Sequence, residues 1–199
     1  MRKYLLIFLV TIWTIFIGIS FVWLNDYSSR PGIPADVSAK LPKGIFFESD
    51  SKIPKLLIFV HPHCPCSHAT LGELERLVAT TQDLANIKII FYKPNDKPSE
   101  WIETDLWQNA RVIPNVEIAT MSEEEIQRFG VVTSGQAILY DADGNLVFSG
   151  GITLSRAHEG NNKGRKIIEK YLHEGEILAG ETPVFGCSLT SSVIMQNQP

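Results

Sequence analysis

Two cysteines one residue apart, in His61-Pro62-His63-Cys64-Pro65-Cys66-Ser67-His68, are the residues of this 199-residue chain whose types and spacing point most directly to chemistry. A thiolate is both a nucleophile and a soft-metal ligand, so the pair admits two chemistries. In the first, Cys64 attacks a disulfide or is attacked, and Cys66 resolves the mixed disulfide. This exchange needs no cofactor, and the small ring closed by one intervening residue favours an easily reduced couple. In the second, Cys64, Cys66, His63 and His68 hold copper as Cu(I), or zinc, with Cys187 or His158 completing the site. Cys-x-Cys is not a zinc-finger spacing, and no second ligand pair lies nearby. A peroxidase would place a threonine ahead of its cysteine, and Thr-x-x-Cys is absent. Packing alone explains one buried cysteine, but not two within three residues flanked by Pro62, Pro65 and three histidines.

The elements that must position this pair are legible as patterns. Residues 55–61 (KLLIFVH) are a short apolar run, the mark of a strand buried on both faces. Leu71, Leu74, Leu77 and Val78 then recur at helical spacing, predicting a helix over 67–82. The cysteines thus fall where a strand ends and a helix begins. There the partial positive charge of a helix N-terminus lowers a thiol's pKa, and protonated His63 and His68 would add to it. A rival start exists: Thr70-x-x-Glu73 also fits a capping box and would move the helix end away from the cysteines. Downstream, the spacing predicts a strand at 87–92, a helix around Trp101 to Trp107, a strand at 116–119 and a helix at 122–129. Ser122 and Glu125 form the capping box of that helix. Strands at 136–140 and 145–148 flank Asp141-Ala-Asp-Gly144, a hairpin turn that lacks the rest of a twelve-residue calcium loop. A last helix is predicted over 163–178. Together these make an α/β sandwich with a mixed central sheet flanked by helices.

Ahead of this domain, residues 4–24 (YLLIFLVTIWTIFIGISFVWL) carry no charge and follow Arg2 and Lys3. About 20 apolar residues cross a bilayer, so the segment is expected to be one transmembrane helix in contact with lipid. The basic start places the N-terminus in the cytoplasm and the domain outside a cytoplasmic membrane, facing the periplasm or the exterior. Bulky Phe21, Val22, Trp23 and Leu24 continue past Gly18-Ile19-Ser20, which makes an uncleaved anchor the better reading than a signal peptide. The resulting divisions are an anchor at 1–24, a proline-rich linker at 25–43, the domain at 44–180 and a tail at 181–199. Three cysteines cannot all pair within one chain. Cys187, in the tail, is either a third working thiol or a free one. The net charge is −4 and basic residues form no dense run, which argues against a nucleic-acid partner. Partners are expected among protein thiols or disulfides outside the cytoplasm.

The strand leading into Cys64-Pro-Cys66, and the stretch 129–144 (FGVVTSGQAILYDADG), resemble the thioredoxin-like superfamily. The likeness is to its membrane-anchored TlpA/ResA-type thiol-disulfide proteins, including RedB-like ones, and covers about residues 43–178. The resemblance implies a thioredoxin-like sandwich, with the 93–121 region as the insertion such proteins carry, and a redox-active Cys64/Cys66 pair. Three features depart from the family pattern: CxC replaces CxxC, His63 stands where tryptophan precedes the motif, and Thr133-Ser134-Gly135 replaces the cis-proline segment, with Gly135 the nearest match.

Overall fold

The computed structural model describes residues 2–42, 52–176 and 181–189. The chain divides into two compact units, 1–30 and 31–199. The first is one helix, α1 (Arg2–Ser29), long and apolar enough to cross a membrane and about two turns longer than the uncharged run predicts. Trp23 and Tyr27 stack near its C-terminal end, with ring centroids 6.2 Å apart.

The second unit is built on β1 (Lys55–Val60), whose six residues are all buried. Its alternating side chains feed two cores, as a strand buried on both faces must. Leu56, Ile58 and Val60 pack with α2 (Ser67–Thr81) and α5 (Lys163–Glu174). Leu57 and Phe59 pack with Ile126 of α4 (Glu123–Gln127) and with Phe129. β2 (Asn86–Tyr92) pairs parallel to β1, and β3 (Val116–Met121) parallel to β2. On the other side β4 (Gln136–Tyr140) runs antiparallel to β1, and β5 (Leu146–Gly151) antiparallel to β4. A two-residue β6 (Glu181–Thr182) closes the order β3-β2-β1-β4-β5-β6. The expected mixed sheet is therefore present. The helix expected around Trp101 to Trp107 is split into a 3-10 turn (Ser99–Ile102) and α3 (Asp105–Arg111), which Thr104 caps through its side chain. The Ser122/Glu125 capping box forms as predicted. α5 stops at Gly175, whose φ of 70° is the left-handed cap that glycine adopts without strain. Residues 177 and 178 of the predicted helix lie outside the described residues.

Two stretches read as linker and tail are fastened to the sheet. Between 31 and 42, the amides of Gly32, Asp36 and Leu41 donate to the carbonyls of Val184, Gly130 and Gly144, and Val37 and Leu41 cover the second core. Beyond β6, Leu189 is fully buried in that same core. The expected boundaries at 43–44 and 180, and residues 190–199 of the tail, lie outside the described residues.

The helix that leads out of the cysteine loop is tied down by a buried ion cluster. Glu73 on α2 is fully buried, accepts hydrogen bonds from Gly160 N–H at 2.7 Å and Arg165 Nε at 2.9 Å, and also pairs with Arg76. Burial pushes the Glu73 carboxyl up, but donors from Asn162, Gly160, Arg165 and Arg76 together hold it below the ordinary value. A depressed carboxyl stabilises the fold fully above its unfolded pKa, and that contribution is lost as pH falls through the folded one. Glu73→Gln, which leaves two arginines facing a neutral amide, is expected to destabilise residues 31–199 by about 3 kcal/mol in urea unfolding at neutral pH. The gap from the parent should narrow on acidification below the ordinary glutamate range, and a gap independent of pH would refute the ionic account.

Candidate functional site

The cysteine loop begins where β1 ends. Cys64 N–H donates to His61 O at 3.0 Å, and Ser67 N–H donates back to Cys64 O at 3.1 Å. Cys66 already has helical dihedrals (φ −66°, ψ −24°), so the backbone is winding from Pro65 onward, a position that tolerates proline because its missing N–H would be unpaired there. The helix thus starts at the cysteines. The alternative start at Thr70 is not adopted; that side chain is buried inside α2. The positive end of a 15-residue helix accordingly faces the pair.

Cys64 is 2% exposed and Cys66 8%. A cavity of about 360 Å³ reaches Cys64, lined also by Pro62, His63, His68, Thr104 and Leu106. Thr104 Oγ1 donates to Pro62 O at 2.9 Å and so braces the loop from the opposite wall. None of the three cysteines is joined in a disulfide.

What surrounds the Cys64 sulfur is a set of donors. The foremost is the Cys187 thiol; Cys187 N–H also approaches Cys64 Sγ at 3.5 Å. The Ser67 and Ser134 hydroxyls bond to each other at 2.8 Å, which leaves one of their two protons for Cys64. Ser134, fully buried, is fixed in turn because its Oγ accepts from His61 N–H at 2.7 Å. The Cys187 hydrogen bond, with help from the serines, holds the Cys64 thiol far below its ordinary value against the upward push of burial. Cys66 moves the other way, raised by burial and by the charge on Cys64, with Arg156 opposing. Cys187 is raised as well, chiefly by its hydrogen bond to Cys64. Three thiols in one field cannot ionise together, and Cys64 takes the charge.

The histidines do not gather on the sulfurs. His61 Nδ1 accepts from His63 N–H at 3.1 Å, and the His63 ring meets Trp101 edge-on at 4.7 Å between centroids. His68 Nδ1 faces Asn109 Nδ2 at 3.4 Å. Burial first, and the neighbouring His63 second, push the His61 pKa down. Among the described residues, no three His, Cys, Asp or Glu side chains form a group that could hold a metal ion. Cys64, Cys66, His63 and His68 are thus not gathered into one such group among the described residues.

Ser67, Ser134, Arg156 and the placement of Cys187 escaped the sequence reading. Ser134 was within reach of it, lying beside Gly135 in the stretch that carries the resemblance. Arg156 has no local signal. No residue of the described chain forms a cis peptide, so Ser134-Gly135 enters β4 through trans bonds.

If Cys64 is the thiolate, its carboxamidomethylation, followed by peptide mass spectrometry, should be nearly pH-independent between about pH 6 and 8. In Cys187→Ala the lost donor raises the pKa, and the rate should climb with pH across that window. A wild-type rate rising about tenfold per pH unit would show an ordinary thiol.

The chain matches no protein-family model and no curated protein sequence. Solved structures do match. An uncharacterised conserved protein from Geobacillus kaustophilus aligns at 18% identity over 81% of this chain and 92% of its own, with a TM-score of 0.54. A hypothetical protein from Sinorhizobium meliloti aligns at 17% identity over 82% and 98%, with a TM-score of 0.51. A secreted Mycobacterium tuberculosis disulfide oxidoreductase, described as homologous to E. coli DsbE, aligns at 15% identity over 61% and 81%, with a TM-score of 0.43. At such identities the likeness is one of fold. Parallel β1-α2-β2, an antiparallel β4-β5 hairpin and closing α5 make that fold thioredoxin-like.

Proposed function

We propose that this chain is a membrane-tethered thiol-disulfide oxidoreductase working outside the cytoplasm, with Cys64 as the attacking thiol and Cys66 as its partner. The observation that carries the reading is the placement of Cys64 just ahead of α2, beside a cavity it helps to line, with Cys187 N–H donating to its sulfur at 3.5 Å. Such a sulfur is an anion held ready, which is what attack on a disulfide requires. Helix α1, with Arg2 and Lys3 ahead of its apolar run, supports a cytoplasmic N-terminus and an exported domain.

The exchange proceeds in two displacements. The Cys64 thiolate attacks one sulfur of a partner disulfide; the Cys64–partner bond forms, the partner's S–S bond breaks, and the leaving thiolate takes a proton from water. With Cys64 now neutral, the charge that raised Cys66 is gone, while Arg156 still favours its thiolate. Cys66 gives up its proton and attacks Cys64 Sγ, releasing the partner as a second thiol. Two protein thiols are oxidised, one partner disulfide is reduced, and every step reverses.

Because stabilising a thiolate stabilises the reduced form, the couple should be more oxidising than thioredoxin's own, at about −270 mV. Equilibration of the full chain in detergent with glutathione buffers, read by alkylation mass shift, measures it, and a potential at or below that value would count against the proposal. Cys64→Ser should lose insulin-reducing activity; retained activity would sink the assignment.

A further inference from the structure

The residues beyond β6 do more than fill a groove. Ser134 N–H donates to Cys187 O and Leu189 N–H to Val132 O, each at 2.9 Å, and Thr133 and Ser188 form an antiparallel bridge. Residues 187–189 thus add an extended strand to the backbone edge just before β4. An extended peptide docks on a sheet edge in the same way. Two anchors set its register. Leu189 is fully buried in the second core, and Arg156 Nη1 donates to Gly186 O at 2.7 Å. Gly186 crosses so close to Ser134 that an added Cβ would stand 1.8 Å from Ser134 O. Held this way, Cys187 meets Cys64 through both its N–H and its thiol.

We propose that Cys187 is a third redox thiol, delivered to Cys64 by a C-terminal strand that occupies the site as a built-in substrate, so that a Cys64–Cys187 disulfide forms during exchange. This rests on the oxidoreductase reading above and extends it. Once a partner disulfide has oxidised Cys64 to a mixed disulfide, Cys187 attacks Cys64 Sγ. The Cys64–Cys187 bond forms, the Cys64–partner bond breaks, and the Cys187 proton leaves to solvent while the departing partner thiolate is protonated. The balance is again two protein thiols oxidised and one partner disulfide reduced to two thiols. Cys66 can then take over by attacking Cys64, which frees Cys187 with its strand.

Its position supports this role. The Cys187 thiol is raised mainly by its hydrogen bond to ionised Cys64, an influence that vanishes when Cys64 enters a mixed disulfide. Attack by Cys187 is thereby coupled to the state of Cys64.

The test uses the full chain in detergent, carrying Cys66→Ser, treated with glutathione disulfide, alkylated and mapped by mass spectrometry. The expected result is a peptide linking Cys64 to Cys187 and no lasting glutathione adduct. Adding Gly186→Ala, which pushes the strand off the Ser134 edge while keeping all remaining thiols, should cut the linked product about tenfold and leave glutathione on Cys64. A stable Cys64–glutathione adduct in Cys66→Ser, with Cys187 still free to alkylate, overturns the inference and leaves the oxidoreductase reading intact. An equal yield of linked product with and without Gly186→Ala overturns the delivery by the strand. A wild-type chain whose Cys64 forms neither a glutathione adduct nor a disulfide brings down both readings.

Discussion

A negative sulfur with almost no exposure must find in the protein the hydrogen bonds that water would have supplied. Much of what surrounds Cys64 answers that requirement. Ser67 arrives because α2 begins at the cysteines; Ser134 arrives because β4 lies beside β1; Cys187 arrives because a strand from the end of the chain lies along 132–134. Each donor comes from a different segment, so the thiolate is only as well supported as the packing that brings those segments together. The buried Glu73 cluster and the Leu189 anchor are far from the sulfur's own chemistry, yet they fix two of its three suppliers.

Arg156 links two parts of the same arrangement. Its guanidinium holds Gly186 O, and its charge falls on Cys66. A single side chain thus both fastens the C-terminal strand and eases ionisation of the second thiol. With Cys64 negative, Cys66 and Cys187 are kept as thiols; with Cys64 consumed in a mixed disulfide, both lose the charge that restrained them. Order in the exchange follows from electrostatics alone, because the group that ionises first suppresses its neighbours until it has reacted.

The departures from the family pattern also have a local physical content. Ser134 stands beside Gly135, the nearest match to the cis-proline, and contributes a hydroxyl and an N–H there. The hydroxyl joins His61 to Ser67, and the N–H donates to the Cys187 carbonyl. In this chain the edge beside the cysteines is therefore occupied by the protein's own strand. His63, at the tryptophan position, is instead packed against Trp101 from the 3-10 turn, which restores an aromatic next to the loop from a different part of the chain.

What the sequence by itself determined is what depends on neighbours along the chain. The uncharged run at 4–24, the doubly buried strand into the cysteines, the 3.6-residue period of α2, the Ser122/Glu125 box and the Asp141–Gly144 turn are all short-range patterns, and each marks its element directly. Two helix starts were open at the cysteine loop, and tertiary packing chose Ser67, since Glu73 is drawn into the cluster with Arg165 and Gly160 instead of capping Thr70. The 31–42 and 181–189 stretches carry no period, because they bond to the sheet through scattered backbone groups, and so they read as linker and tail. Cys187 reaches Cys64 across 123 positions of chain, and Ser134 reaches His61 across 73. Contacts of that range leave no spacing to read; only the folded sheet brings them to the two cysteines that the motif had already marked.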